Sequence, residues 1–327
     1  MKNTNGVSPM AWVKKHAAQL AAFSGLLVCI LFFTILTPIF GESIWSPAKL
    51  ETLIRNVIVL ALMSVGAVFV YSLGSMDISI GRQVGLYATL VVIIGNATGS
   101  LLWGILLSLV ISVIISAING AAGEVLGIHP VISSLVFQMV ISGVSSVIYN
   151  SIGSRNVALM NTFDVSLFRQ TWFMILALVV EVLVVGYLFN FTKLGKNAKA
   201  IGANPTAARQ SGIHLVQYKV YAYIIMGLCV VLASLFQMGY TASASDSTGT
   251  GFEMNVMVAL ILGGMPLSGG MRSRVSCAIV GSFTYALLSV GLPMLGVAAN
   301  QVFVIKAVLF LIVVLLTCRK KTGVLPR

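Results

Sequence analysis

Charge is scarce in this chain: 9% of its 327 residues are Asp, Glu, Lys or Arg, and only eight of those are acidic. An ordinary soluble domain carries about a quarter charged residues, so a water-exposed globule is excluded. Cysteine is equally uninformative as chemistry. Cys29, Cys229, Cys277 and Cys318 fall in or at the ends of apolar runs with no CxxC or Cys/His spacing, which makes them reduced packing residues and gives no metal site. His16, His129 and His214 lie far apart, and no HExxH or paired-carboxylate arrangement accompanies them. A GxxxxGK[ST] phosphate loop is also missing, because Gly195-Lys196 is followed by Asn197 and lacks the upstream glycine. These absences leave no enzyme site.

What is present is apolar: 58% hydrophobic residues and a mean hydropathy of +1.01 place the chain in a bilayer. A helix needs about 20 apolar residues to cross roughly 30 Å of hydrocarbon. Runs such as 101–117 and 302–316 are apolar on all sides, unlike the short alternating segments of a barrel. The expected fold is an all-α polytopic membrane protein, one transmembrane domain over 1–327. Spans are expected at 18–38, 56–74, 81–97, 101–123, 130–149, 172–191, 218–239, 254–266, 275–295 and 301–318. The eighth is short and ends in glycines. Lys14, Lys15 and His16 precede a first apolar run longer than a signal-peptide core, so it is read as an uncleaved span.

The net charge of +12 follows topology rather than nucleic-acid binding. With ten spans, Lys2, Lys14, Lys15, Arg82, Lys193, Lys196, Lys199, Arg209, Lys219, Arg272, Arg274, Arg319, Lys320, Lys321 and Arg327 fall on the amino-terminal side. Lys49, Arg55, Arg155 and Arg169 fall opposite, with Glu42, Glu51, Asp164, Asp246 and Glu253. Both termini, 1–17 and the basic tail 319–327, are therefore expected in the cytoplasm.

Ser108, Ser112, Ser116 and Gly120 recur every fourth residue and predict close helix packing, as do the pairs Gly81/Gly85 and Gly123/Gly127. An internal likeness joins Leu73-Gly74-Ser75-Met76-Asp77-Ile78-Ser79-Ile80-Gly81-Arg82 to Leu262-Gly263-Gly264-Met265-Pro266-Leu267-Ser268-Gly269-Gly270-Met271-Arg272. Both stretches interrupt a span, as at corresponding points of two related halves, and the span count gives them the same orientation. Glu181 and Lys306 are charges inside spans, either functional or a buried pair. Asp77 and Glu124, near span ends, read as structural.

Between spans six and seven lies a polar, basic island, 193–219. Asn204 can cap a short helix, Pro205 suits its first turn, Ala207 to Gln210 continue it and Gly212 stops it. A merely solvated loop needs no such sequence of signals.

GKNAKAIGANPTAARQSGI resembles the cytoplasmic loop of the permease subunits of bacterial ABC importers of the ribose, galactose and xylose type. That family also includes branched-chain amino acid and nucleoside permeases. Gly74 to Gly81 resembles its MDLSVG stretch, Ala259 to Gly270 its GGxSLxGG stretch, and His129-Pro130-Val131-Ile132 its proline-initiated span. The likeness runs from about residue 56 to the end.

The resemblance implies two permease subunits, identical or different, two ATPase subunits that hold ATP and Mg, and an extracytoplasmic solute-binding protein, in a bacterial inner membrane. This chain would hold no cofactor or metal. Asn204, Pro205, Ala208, Arg209, Ser211 and Gly212 would form the ATPase-coupling element. Asp77, Ser79, Gly81, Gly263, Gly264, Ser268, Gly269 and Gly270 would line a pathway or gate. The chain departs from the family at Arg82, at Pro266 and in the basic stretch 271–274, which leaves the cargo open among sugars, nucleosides and branched-chain amino acids. A proton-coupled transporter using Glu181, or a structural anchor, are the readings from other classes.

Overall fold

The computed structural model describes residues 9–159 and 165–317; the tail 319–327, Cys318, Asp164 and residues 1–8 lie outside them. The helices are α1 (Pro9–Phe40), α2 (Pro47–Ser72), α3 (Ile80–Thr98), α4 (Leu101–Val125), α5 (Pro130–Ile152), α6 (Ser166–Arg169), α7 (Thr171–Phe191), α8 (Lys193–Ala203), α9 (Pro205–Gln210), α10 (Leu215–Thr241), α11 (Phe252–Leu262), α12 (Val275–Met294) and α13 (Ala299–Thr317). Two three-residue strands, β1 (Asn156–Ala158) and β2 (Ser243–Ser245), pair antiparallel. Each expected span has its helix within a few residues, apart from the first ends of α1 and α2, which start nine residues early. Prolines Pro47, Pro130 and Pro205 open helices at a position where no N–H is needed.

Eight of these helices are long and apolar enough to cross a membrane. Burial orders them. α2 is the central post, with 83% of its apolar window buried, against 22% in α4, α5 and α7, whose outward faces carry Leu, Ile and Val for lipid. A post enclosed on every side has no polar face to show, which is why α2 is apolar all round. Phe69 of α2, Tyr87 of α3 and Met226 and Phe236 of α10 are fully buried around it.

The serine stripe packs as the four-residue period predicts. A Cβ on Gly227 of α10 would lie 2.2 Å from Ser116 Oγ and 2.6 Å from Ser112 Oγ, and one on Gly120 would lie 3.0 Å from Val220 Cα. The absence of side-chain bulk lets α4 and α10 approach backbone to backbone. Gly127, by contrast, touches no neighbour and simply ends α4 with φ +66°.

The two similar interruptions are the same kind of helix stop. After α2, Gly74 N–H donates to the Tyr71 carbonyl and Ser75 N–H to that of Val70; after α11, Gly264 N–H donates to Ile261 and Met265 N–H to Leu260. Both are Schellman caps with a left-handed glycine, φ +73° and +85°. The structural register is Gly74 with Gly264, one residue away from the match read along the sequence.

The eighth span is not a span. α11 has 11 residues, about 16 Å of helix, roughly half the hydrocarbon thickness. The chain before it makes up the difference by running down α3: Asn96 of α3 donates to Ala158 beside β2, whereas a Cβ on Gly85 would meet the Thr248 carbonyl and one on Gly81 that of Gly249. Arg82 Nη1 donates to the Asp246 carbonyl at 2.9 Å. Charge counting had put Arg82 on one face and Asp246 and Glu253 on the other, so that sidedness is corrected. A polar loop at this depth is tolerated because it is covered by α3 rather than lipid. Gly85 thus receives a loop rather than a helix, and Gly81 receives that loop together with the Glu253 side chain from the first turn of α11.

Candidate functional site

The island from Lys193 onward is folded throughout, and a helix ahead of the expected one was missed. Thr192 caps α8 by accepting from Leu194 N–H, and Leu194, Ala198 and Ile201 form its inward stripe. That spacing was legible; Gly195 and Gly202 disguised it as loop. Gly195 is needed because a Cβ there would lie 1.9 Å from the Phe189 carbonyl oxygen, where α8 turns back at the end of α7. Lys199 crosses the Phe189 ring at 4.1 Å, and burial, aided by the nearby Arg274 guanidinium, holds its ammonium below the usual lysine range.

α9 has the expected capping. Asn204 Oδ1 accepts from Ala207 N–H at 3.0 Å, Ser211 Oγ donates to the Ala207 carbonyl, and Gly212, φ +79°, closes a third Schellman cap with Ile213 N–H on the Ala208 carbonyl. Ala208 is buried, while Asn204, Pro205, Arg209 and Ser211 face outward. Arg209 pairs with Glu124 at the end of α4, and Lys219 of α10 takes the other Glu124 oxygen. Glu124 is therefore structural, as its position suggested.

α8 ends on both helix stops at once. A Cβ on Gly202 would sit 1.9 Å from the Ser72 carbonyl oxygen and 2.8 Å from Gly270 N, and Gly270 N–H donates to that same carbonyl at 2.8 Å. A Cβ on Gly269, φ +67°, would lie within 2.6 Å of Tyr71 O, Ser72 O and Gly74 N. Three segments distant in sequence thus meet at bare backbone. Only glycine permits such an approach at Gly202 and Gly269.

Beside this junction Asp77 is 4% exposed and, among the described residues, forms no ion pair. Its Oδ1 accepts from Ser79 N–H and Oγ–H at 2.7 and 2.6 Å, and its Oδ2 from Gln83 and Asn119 amides at 3.3 and 3.2 Å. Asn119 accepts in turn from Ser133 of α5. The carboxylate therefore ties the α2–α3 break to α4 and α5 through a satisfied network.

The remaining candidates separate. Gly263 packs against Cys277 of α12, where a Cβ would lie 1.8 Å from a carbonyl oxygen, and Gly81 sits under the 248–249 loop, so neither lies at the junction. Ser268 is exposed above Gly74. Glu181 and Lys306 do not pair: Glu181 lies in an apolar groove between α7 and α10, with the Cys229 thiol as its polar neighbour, and Lys306 donates to Ser289. Residues that sequence reasoning missed are Ser72, Gly202, Gln83 and Asn119, ordinary in type and joined only by the fold.

A family profile described as the permease component of the branched-chain amino acid transport system matches residues 49–314. The chain is 32% identical to the ribose import permease protein RbsC of Bacillus subtilis over 93% of its own length and 94% of the relative's. It is 26% identical to the galactose/methyl galactoside import permease protein MglC of Salmonella typhimurium over 98% of both chains. With the L-arabinose transport system permease protein AraH of Escherichia coli it shares 27% over 89% of each. An α-helical membrane fold with a capped loop helix seated on two interrupted helices, and a match that spans most of the chain, lead to one conclusion: this chain belongs to the family of transport-system permease components of the branched-chain amino acid type.

Proposed function

We propose that the chain forms the transmembrane pathway of an ATP-driven importer for a sugar or similar small polar solute. Separate ATPase subunits, which hold ATP and Mg, dock on the exposed face of α9; a second permease subunit completes the pathway, and a solute-binding protein delivers cargo to the opposite face. The amino terminus and the 193–219 island lie in the cytoplasm. Asn204, Pro205, Arg209, Ser211 and Gly212 form the docking element, with Ala208 anchoring it. The names of the relatives, all sugar permeases at nearly full coverage, favour sugar over amino acid or nucleoside.

The observation that carries this reading is the contact of α8 with both helix stops. A push on α9 passes through α8 to the Ser72 carbonyl and to Gly270, and so to α2 and the segment between α11 and α12 together. Rigid backbone contact transmits displacement without a flexible side chain between. Asp77 and Ser79 hold the α2–α3 break, so the same push tilts a fixed unit. A relay through Glu181 lacks support, since its groove is otherwise apolar.

The test is reconstitution of the chain with the subunits that co-purify with it. Solute uptake should require hydrolysable ATP, and Arg209→Glu or Gly212→Pro should leave ATP hydrolysis running without uptake. Uptake that continues in the absence of ATP rejects the reading.

A further inference from the structure

A cavity of about 320 Å³ opens within the single chain, between α2, α10, the first turn of α11, α12 and α13. Its size is at the lower end for small-molecule sites, roughly 300–1,000 Å³. Two cations line it, Arg55 and Lys306, and no carboxylate does.

The cations differ. Arg55 is neutralised by Glu51, one turn earlier, and packs 4.7 Å over the Tyr240 ring, leaving its buried Nε–H without a partner. Lys306 is half-buried, donates to Ser289 Oγ at 2.6 Å and lies 4.1 Å from the Tyr285 ring centre. Among the described residues no carboxylate comes within ion-pair distance of it. An ammonium withdrawn from water and given a hydroxyl and the ring faces of Tyr285 and, at 5.9 Å, Phe303, but no counter-charge, is under-compensated. The wall facing it offers Tyr285, whose hydroxyl donates to Asn255 in the first turn of α11.

Aromatic faces suit the C–H face of a pyranose, amides and hydroxyls suit its OH groups, and an uncompensated cation suits a negative charge. We propose that this cavity is a solute site that selects an anionic, polyhydroxylated solute, a sugar carrying a carboxylate, over the neutral sugar of the same shape. The assignment rests on the transport reading above and narrows its cargo. Lys306 would contact the carboxylate, with the unpartnered Nε–H of Arg55 as a further donor; Tyr240 and Tyr285 would flank the ring.

The experiment uses the full-length chain in nanodiscs of neutral phosphatidylcholine, with its co-purifying subunits, and titrates D-galacturonate against D-galactose at equal ionic strength by saturation-transfer NMR. Protection of Lys306 from an amine-acetylating reagent, read by mass spectrometry, locates the bound sugar. Galacturonate should bind about tenfold more tightly than galactose, the worth of one charge-assisted hydrogen bond, and should protect Lys306. Lys306→Met should erase the preference and Lys306→Arg restore it. Equal binding of the two sugars, no binding of either, or protection of Lys306 by added phosphatidylglycerol but not by galacturonate would each overturn the proposal. Failure of ATP-dependence in the uptake assay would instead reject the transport reading, and the preference measured here would stand.

Discussion

The amide of Gly270 donates to the carbonyl of Ser72 at 2.8 Å, joining the stop after α11 to the last residue of α2 across nearly two hundred residues of sequence. Gly202 leaves no room for anything but hydrogen above that bond. Gly202→Ala should therefore force α8 away from both segments. The expected cost is about 1–3 kcal/mol of stability, as for other overpacked sites. A thermal melt of the detergent-purified protein reads the cost, and uptake per ATP hydrolysed in the reconstituted complex should fall more than hydrolysis itself. Wild-type values in both would show that α8 is not tightly seated.

Glu124 stands between an exposed cation and a mostly buried one: Arg209 is 69% exposed and Lys219 15%. Removing the exposed partner, in Arg209→Gln, should cost under about 1 kcal/mol. Glu124→Gln strands Lys219 and should cost more, about 1–3 kcal/mol. Chemical-denaturation midpoints of the two variants, compared side by side, should rank in that order; the reverse order would place the stabilising contact at Arg209.

Asp77 accepts four hydrogen bonds with little water to replace them. Asp77→Ala leaves the Ser79 amide and the Gln83 and Asn119 side chains short of partners and should destabilise by about 1–3 kcal/mol per stranded group at most. Asn119→Ala should share part of that loss, and the double variant should fall short of the sum. Additive losses would separate the two residues.

Gly227, Gly143 and Gly186 look alike along their helices, yet only Gly227 faces a neighbour within 4 Å. Gly227→Val should wedge α4 from α10 and abolish folded yield. Gly143→Val and Gly186→Val should be tolerated within about 0.5 kcal/mol, as exposed substitutions are. Monodispersity on size-exclusion chromatography distinguishes them, and equal behaviour of all three would remove the packing account.

The helices were legible because lipid imposes one rule on every span, and the capped helix at Asn204 because each of its signals is local. The serine stripe from Ser108 to Gly120 was legible for the same reason: its period is written on one helix. The junction was not. Ser72 and Gly202 carry no chemistry of their own, and their meeting depends on how α8 folds back beneath α2. Arg82 and Asp246 were assigned opposite faces because charge counting assumes that each loop stays at the surface, and the segment before α11 does not. Gly81, one of the expected pathway residues, lies where that segment and Glu253 pack on α3.

The shortness of α11 bears on how the protein is made. Eleven residues, nine of them apolar, are too few to cross the hydrocarbon on their own, which takes about 20. The segment that precedes α11 finds its cover on α3, along Gly81 and Gly85, and on Leu235 and Met238 of α10, which pack with Ala244. Stable placement of this helix therefore depends on α3 and α10 being in place, and a chain shorn of α3 should lose part of its cover.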